Sequence, residues 1–355
     1  MSAHAADLGD TEESAPRNWQ RGLSDASISA IVMIHAKNDG ARRNLVVAVR
    51  QLAKNAGISE VAKLLEANAL PGAKEHFGFR DGIGQPSIEG SPFTDKPGMG
   101  TPAPGNTWKP VKAGEFILGY EKESTAQEIP AEIRELCLNG TYLVFRKLQQ
   151  NVGAFNQFIE RASRIAYGSD APGDQELIAA KLVGRWRNGN PLILSPIGND
   201  PTPASDNDFR YNNDRNGKKC PLGAHIRRCN PRDALDGGDT DVRLHRLLRR
   251  GLPYGPHVDD SSDAEERGVA FFAMNANIER QFAFVQQNWV NNGEFAGLGN
   301  EERDPIVGAN TSGRFTVPGA SRFPFVPGLN RFVTTRGGGY FLEPGIAALN
   351  KLASK

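Results

Sequence analysis

Two short stretches of the sequence combine residue types and spacings that could do acid–base or ligand chemistry. The first is EHFGFRDGIGQP (75–86), in which Arg80 and Asp81 lie within a run rich in glycine. Glycine is common in tight turns because it adopts positive φ at no steric cost. The stretch therefore indicates a carboxylate held on a turn, which suits a group that accepts and returns a proton.

The second stretch is KKCPLGAHIRRCNPRD (218–233), where His225 precedes a group of arginines, and a further arginine-rich run, RLHRLLRRGLPYG, contains Arg249. Cys220, His225 and Cys229 follow a C-x4-H-x3-C spacing, which matches no common structural zinc site. A surface histidine in a basic loop is the plain alternative for His225.

A single neutral imidazole among arginines also suits haem, because histidine ligates the iron and the arginines neutralise the propionates. A haem peroxidase needs a base for the peroxide proton and a cation for the negative charge that develops as the O–O bond breaks. Asp81 is the candidate base and Arg249 the candidate cation. The sequence contains no Cys-x-x-Cys-His motif, so covalent attachment of c-type haem is not expected.

Other residues have both a functional and a structural interpretation. Arg80 faces either solvent or a haem propionate. Phe271 and Phe272 alternate on a predicted strand, so only one of them can line the pocket; Phe271 is the candidate, with ordinary core packing as the alternative. Trp289 and Tyr254 are candidates for electron relay from bulky substrates, although the helical stripe favours plain packing for Trp289.

The sequence resembles the dye-decolorizing peroxidases, haem enzymes with a pair of ferredoxin-like α+β domains. The family's Gly-x-x-Asp-Gly signature reads GFRDG (78–82) here, its histidine segment reads GAHIRRCNPR, and its arginine segment reads HRLLRRGLPYG. The stretches GVAFFAMNANIERQFAFVQQNW and GGGYFLEPGIAAL also resemble that family. The resemblance implies the metal ligand His225, the catalytic pair Asp81 and Arg249, and the cofactor-binding residues Arg249 and Asp304. Arg80 and Phe271 are added as cofactor-binding candidates from their positions in the sequence.

The resemblance further implies how these residues act. Asp304, in ERDPIVG, would hydrogen-bond the imidazole of His225 and push electron density onto the iron. The implied activity is that of a haem b peroxidase, which reduces hydrogen peroxide and oxidises dyes, phenols and other aromatic electron donors. Because a carboxylate stays ionised at a pH at which histidine is protonated, activity is expected to favour acidic pH.

The chain departs from the family at its start. HAADLGDTEESAPRNW (4–19) resembles the linker that follows the first strand and helix of family members, and Asp81 lies unusually early. We therefore expect the first strand and helix to be lacking, which would leave a sheet edge open.

The elements that must position these residues alternate between strands and helices. The predictions are a strand at 28–36, a helix at 41–57 with Leu45, Val49, Leu52 and Ala53 on one face, a strand at 140–148, a helix at 152–166, a strand at 268–278 with a helix after it, and a hairpin-like pair and helix at 331–353. Long loops at 91–114 and 196–218 separate the units.

This order favours α+β sandwiches over one regular parallel sheet. The predicted fold is α+β, with two ferredoxin-like domains in a dimeric α+β barrel arrangement. Residues 1–165 form the N-terminal half with the GFRDG motif, and residues 166–355 form the C-terminal half with the haem-ligating histidine.

The composition sets wider bounds. The chain has 355 residues and a formal net charge of +1, which argues against a nucleic-acid partner. No apolar run approaches the roughly 20 residues that span a bilayer, and no secretory signal is expected at the first residues. Three cysteines make a poor disulfide framework, so a reducing, cytoplasmic location is expected. The expected partners are hydrogen peroxide and small aromatic donors, without nucleic acid or membrane; an oligomer is possible.

Two other functions stay open from the sequence. A haem-binding or haem-handling protein without turnover would share His225 and the arginines but would not need Asp81. A non-haem interaction domain of the same α+β architecture would bind no haem. Absorbance spectra before and after peroxide addition distinguish these alternatives.

Overall fold

The computed structural model describes residues 1–355 except 24–27, 64, 124–128, 199–204, 236–238, 258–262, 300 and 355. The helices of the described residues are α1 (Asp39–Asn55), α2 (Arg134–Cys137), α3 (Val152–Tyr167), α4 (Pro172–Val183), α5 (His225–Cys229), α6 (Asp239–Leu244), two π-helical segments (Glu279–Ala283 and Val285–Val290) and α7 (Ile346–Ala353). The strands are β1 (Thr101–Ala103), β2 (Thr107–Lys109), β3 (Thr141–Gln150), β4 (Leu248–Tyr254), β5 (Gly268–Asn275), β6 (Gly313–Thr316), β7 (Phe325–Leu329) and β8 (Val333–Glu343).

A four-stranded antiparallel sheet in the order β4-β5-β3-β8 is the framework of the fold. Phe145 of β3 is opposite Phe272 of β5, and Arg146 is opposite Phe271. Side chains alternate along a strand, so Arg146 and Phe271 lie on one face of the sheet. Phe145 and Phe272 lie on the other face, where their ring centroids are 5.0 Å apart.

Helices α3 and α4 form an apolar core with the small β6-β7 sheet. The predicted stripe of α3 is buried, and the helix ends at Gly168 in the left-handed conformation. Phe77 and Phe79 pack into this core, and the ring centroid of Phe77 lies 4.4 Å from that of Phe155. These aromatic rings therefore anchor the glycine-rich loop to a helix.

The prediction of a buried strand at 28–36 is wrong. These residues belong to no strand, and Val32 is 65% exposed. A strand needs a partner for its main-chain groups, and no strand of the described ranges pairs with this segment. The helix predicted after it is confirmed as α1, but its apolar face is uncovered, because Leu45 is 44% and Leu52 is 68% exposed.

The prediction of a hairpin-like pair near the C-terminus is also wrong, because residues 333–343 form one strand, β8. Three consecutive glycines had indicated a turn, but they lie where other parts of the chain approach closely. A Cβ at Gly337 would lie 2.4 Å from Cβ of Leu23, and one at Gly338 would lie 2.5 Å from the carbonyl oxygen of Phe145. The register against β3 shifts here and leaves Arg336 as a bulge.

The α+β class is confirmed by the antiparallel sheets and the helices packed on them. The domain boundary at 165/166 stays a prediction; β3 lies before it but pairs with β5 and β8 from after it. Within the described part of the chain, no helix combines the length and apolarity needed to cross a bilayer.

Candidate active site

A cavity of about 310 Å³ lies against one face of the central sheet. Its volume is at the lower end of the range for small-molecule and cofactor sites. Much of its wall is apolar, and the apolar residues include Val183, Ile226, Val269, Val285, Ile306 and Val307. His225, Asp81 and Arg249 also line it, so the residues that the sequence singled out line one space.

His225 is the first residue of α5, and a buried carboxylate fixes its ring. Nδ1 of His225 lies 2.9 Å from Oδ2 of Asp304, whose side chain is fully buried. Oδ1 of Asp304 accepts hydrogen bonds from the backbone N–H groups of Ile306 and Val307, at 2.8 and 2.9 Å. With Nδ1 committed to the carboxylate, Nε2 is the nitrogen available to a metal.

The electrostatics of the two groups are coupled. Burial disfavours the charged imidazolium, but the Asp304 carboxylate outweighs this and raises the pKa of His225 well above its ordinary value. Burial likewise disfavours the carboxylate, but the imidazole and the backbone donors outweigh it, so the pKa of Asp304 is lowered. A carboxylate thus stays ionised beside the ring, as in the histidine–carboxylate pairs that make a metal ligand more basic.

The GFRDG loop is a tight turn held by a second carboxylate. Gly78 and Gly82 have φ values of +89° and +77°, which glycine adopts without strain. The Glu75 side chain accepts hydrogen bonds from the backbone N–H groups of Phe77 and Phe79, at 2.9 and 2.8 Å. The Glu75 carboxyl group therefore stabilises the turn that carries Asp81.

Asp81 and Arg249 face each other across the cavity wall. Oδ1 of Asp81 lies 3.6 Å from Nη1 of Arg249. The side chain of Asp81 is 39% exposed and that of Arg249 is 33% exposed. The backbone N–H of Asp81 donates to the carbonyl of Ala73 at 2.9 Å. This arrangement places an anionic oxygen and a cation next to each other at the surface of the cavity.

Comparisons with known proteins identify the family. A family profile described as "Dyp-type peroxidase, C-terminal" matches residues 119–322. The chain is 31% identical to dye-decolorizing peroxidase msp1 of Mycetinis scorodonius, over 98% of this chain and 70% of that protein. It is 33% identical to a dye-decolorizing peroxidase of Mycena epipterygia, over 96% of this chain and 69% of that protein. The chain belongs to the dye-decolorizing peroxidase family.

Solved structures agree with this assignment. A dye-decolorizing peroxidase in complex with 2,6-dimethoxyphenol superposes with a TM-score of 0.84 and 28% identity, over all of this chain and 80% of that one. The chain is therefore a dye-decolorizing-type peroxidase, an oxidoreductase whose cofactor is haem b. The residues present fit that group, since a buried carboxylate fixes the histidine ring and apolar residues form much of the wall of the cavity.

Two more candidate residues from the sequence also lie at this peroxidase cavity. Phe271 lines it, whereas Phe272 stacks on Phe145 on the opposite face of the sheet. The alternation on β5 is thus resolved in favour of Phe271. Arg80 is exposed and lines the cavity as well.

Arg227 and Arg228, which directly follow His225, do not line the cavity and so are not placed to neutralise propionates. That expectation stays a prediction for Arg232, Arg246 and Arg249, which do line it. Arg227 is buried and donates to Oδ2 of Asp214 at 3.1 Å. Arg228 is fully buried and donates to the carbonyls of Trp289 and Asn292. Both guanidinium groups thus donate hydrogen bonds to buried oxygens of the protein around α5.

The proposed relay residues lie in ordinary packing environments. Trp289 is 5% exposed and lies edge-on to Phe284, with ring centroids 5.4 Å apart. Tyr254 is also 5% exposed, and its hydroxyl donates to Oε1 of Glu266 at 3.2 Å. Burial is the largest cause that raises the pKa of the Tyr254 hydroxyl. The packing interpretation thus fits Trp289, and Tyr254 is equally enclosed.

The thiol of Cys229, one helical turn after His225, lies 3.7 Å from Nδ1 of that histidine. Ligand atoms of His225, Cys229 and Asp304 are all within 4.8 Å of one another. The rejected zinc spacing combined Cys220 with His225 and Cys229, but Cys220 is buried in a separate apolar cluster. The C-x4-H-x3-C spacing is therefore not a three-ligand site.

Several cavity residues were missed by sequence reasoning. Asp10 and Arg146 line the cavity and form a buried ion pair. They are 136 residues apart, so no local pattern could have linked them. Gln85, in contrast, lies within the glycine-rich stretch 75–86, and its side chain bonds to the main chain of Arg249.

Proposed function

We propose that this dye-decolorizing peroxidase uses His225 as the haem-iron ligand, Asp81 as the group that moves the peroxide proton, and Arg249 as the cation that stabilises the developing charge. The observation that carries this proposal is that Asp81 and Arg249 form an ion pair on the wall of the cavity that His225 also lines. A carboxylate and a guanidinium in contact can respectively accept a proton and stabilise an anionic oxygen.

Each chain residue has a separate task in this proposal. Bound haem supplies a redox-active iron for peroxide reduction. Asp304 holds Nδ1 of His225, which leaves the lone pair of Nε2 as the one that would hold the haem iron. The Asp81 carboxylate accepts one proton from hydrogen peroxide and returns it to the departing oxygen, which leaves as water. Arg249 donates hydrogen bonds to that oxygen while it carries negative charge.

The reducing substrates are proposed at the level of chemical class. Related dye-decolorizing peroxidases include one solved in complex with 2,6-dimethoxyphenol. We propose that phenols, aromatic amines and dyes are the electron donors here as well. We also propose a reducing, cytoplasmic location, because three cysteines make a poor disulfide framework.

The experiment that tests the residue roles compares three variants with wild type by absorbance spectroscopy and stopped-flow mixing with hydrogen peroxide. His225→Ala is expected to lose the Soret band. Asp81→Asn is expected to bind haem and to react with peroxide more slowly by a factor on the order of 10²–10⁴. Arg249→Leu should also slow this reaction, because it removes the charge-stabilising group.

Glu60→Gln is a matched control, because it removes a different exposed ion pair, between Glu60 and Arg50 at 2.8 Å. It should react at the wild-type rate. Retention of a normal Soret band and full activity by His225→Ala would disprove the ligand assignment. Fast peroxide reaction in Asp81→Asn would refute Asp81 as the group that moves the proton. Slow bleaching of the wild-type protein, without a rapid reaction with peroxide, would favour the haem-handling alternative.

A further inference from the structure

The strand that carries Arg249 lies at the edge of the central sheet. Among the strands of the described residues, β4 pairs only with β5, and Arg249 is opposite Ala273. Main-chain groups on the open side of an edge strand need other partners. Near the end of β4, a neighbouring segment supplies one, because the N–H of Asn68 donates to the carbonyl of Pro253 at 2.9 Å.

At Arg249 the partner is a side chain. Nε2 of Gln85 donates to the carbonyl oxygen of Arg249 at 2.7 Å. In return, the backbone N–H of Arg249 donates to Oε1 of Gln85 at 3.1 Å. A primary amide has one acceptor and two donors in a plane, so it can replace the peptide group of a neighbouring strand. Gln85 therefore pairs with β4 as a single strand residue would.

Gln85 belongs to the same loop as Asp81 and follows it by four residues. Closer to Asp81, the loop is tied to other parts of the molecule: the N–H of Arg80 donates to the carbonyl of Arg187 at 3.2 Å. Nδ2 of Asn207 donates to the carbonyl of Ile83 at 3.2 Å. The two hydrogen bonds of Gln85 thus fasten the loop to the strand from which the Arg249 side chain extends.

We propose that Gln85 is a positioning residue that sets the distance between the Asp81 carboxylate and the Arg249 guanidinium by joining their two backbones. This inference rests on the proposed function of Asp81 and Arg249 and extends it to a residue that touches neither reacting group. The amide of Gln85 bonds to the main chain of Arg249. The 3.6 Å distance of the Asp81–Arg249 ion pair is therefore fixed by the two backbones as well as by the attraction between the two charges.

The test is a double-mutant cycle with Gln85→Met, which keeps the length of the side chain but removes the amide. With Asp81 present, we expect Gln85→Met to lower kcat/KM for hydrogen peroxide roughly 10- to 100-fold, because small misplacements of reacting groups are costly. The Soret band and the KM for the electron donor should not change. In the Asp81→Asn background, the same substitution should have little further effect, since coupled residues are not additive.

A second readout does not depend on turnover. Amide hydrogen exchange at Arg249 should accelerate in Gln85→Met, because its N–H loses its acceptor. Gln85→Glu is a second variant, which keeps an acceptor for this N–H but loses the donor to the Arg249 carbonyl; it should fall between wild type and Gln85→Met in rate. Gln51→Met is the matched control, since Gln51 lies exposed on α1 and bonds to Asn55.

The outcomes separate this inference from the proposal on which it rests. If Asp81→Asn alone reacts at the wild-type rate, the proposed function fails. If Asp81→Asn is slow but Gln85→Met is as fast as wild type, the role of Gln85 fails by itself. A Gln85→Met effect of equal size in both backgrounds also overturns the inference, because Gln85 would then act independently of Asp81.

Discussion

Replacing Gly251 by valine disturbs Asp81 without altering its chemistry. Gly251 follows Arg249 by two residues on β4, so both positions face the same side of the sheet. A Cβ at Gly251 would lie 3.1 Å from Cγ1 of Val269 and 3.5 Å from Oδ2 of Asp81. The methyl groups of valine reach about 1.5 Å beyond the Cβ, one further bond length. Because the Cβ is already in contact with both side chains, we expect the added methyl groups to displace the carboxylate by about 1 Å.

A displacement of about 1 Å at a reacting group costs on the order of 10²-fold in rate. We therefore expect kcat/KM for hydrogen peroxide to fall by a factor of that order in Gly251→Val. Gly251→Ala should lose much less, because 3.5 Å from Cβ to the carboxylate oxygen is ordinary van der Waals contact. The cost in stability should stay within the roughly 1–3 kcal/mol typical of overpacking.

The assay is steady-state turnover at saturating electron donor with varied peroxide, together with haem content and Tm. Gly84→Ala is the matched control, because a Cβ at this glycine of the same cavity wall meets nothing within 4 Å. It should behave as wild type. A Gly251→Val enzyme with normal haem content and Tm and an undiminished peroxide rate would refute the reasoning that the position of Asp81 limits the reaction.

Three further predictions concern the supports of the site. Asp304→Asn is expected to lower the affinity for haem about 10- to 100-fold, as measured by titration of the apoprotein with haem. The reason is that an amide N–H facing Nδ1 of His225 favours the tautomer in which Nε2 carries the proton. Undiminished haem affinity would contradict this. Burial, together with the charge of Asp81, raises the pKa of Glu75 above its ordinary value of 4.5. Protonation of Glu75 therefore stabilises the folded state fully below about pH 4.5, and this stabilisation is lost as the pH rises through the raised pKa. When Tm is measured as a function of pH, the Tm of the wild type should therefore rise toward acidic pH by more than that of Glu75→Gln. Identical Tm profiles of the two proteins would contradict this. Arg228→Met should lower the free energy of unfolding by at least ~3 kcal/mol in urea titration, because it leaves buried carbonyls without their charged donor; a loss below 1 kcal/mol would show that those oxygens find other partners.

The sequence was sufficient for elements whose pattern agrees with their surroundings. The predicted helix after β3 is amphipathic, and its stripe packs as expected in α3. The segment 28–36 has an equally apolar pattern, yet it forms no strand, because periodicity reports a preference and not the presence of a partner. The glycines of β8 were misinterpreted for a related reason. The close approach of Leu23 that requires glycine at 337 is a long-range contact.

The candidate site was predictable where a motif is local and not where it depends on distant contacts. Asp81 could be singled out because its glycine-rich turn is encoded within a few residues. Asp304 could be connected with His225 only through the family resemblance, since 79 residues separate them. The arginines beside the histidine were misleading, because their charge suggested a propionate although Arg227 and Arg228 are buried among protein oxygens.

The loop that carries Asp81 also covers the edge of β4 at Arg249, through the two hydrogen bonds of Gln85. A variant in which this loop swings free, for instance one engineered to admit larger dyes, would uncover main-chain groups that can recruit a second molecule through intermolecular strand pairing. Loss of solubility and slow formation of oligomers would then accompany loss of turnover. Directed evolution of this loop for broader substrates therefore benefits from a parallel screen for self-association.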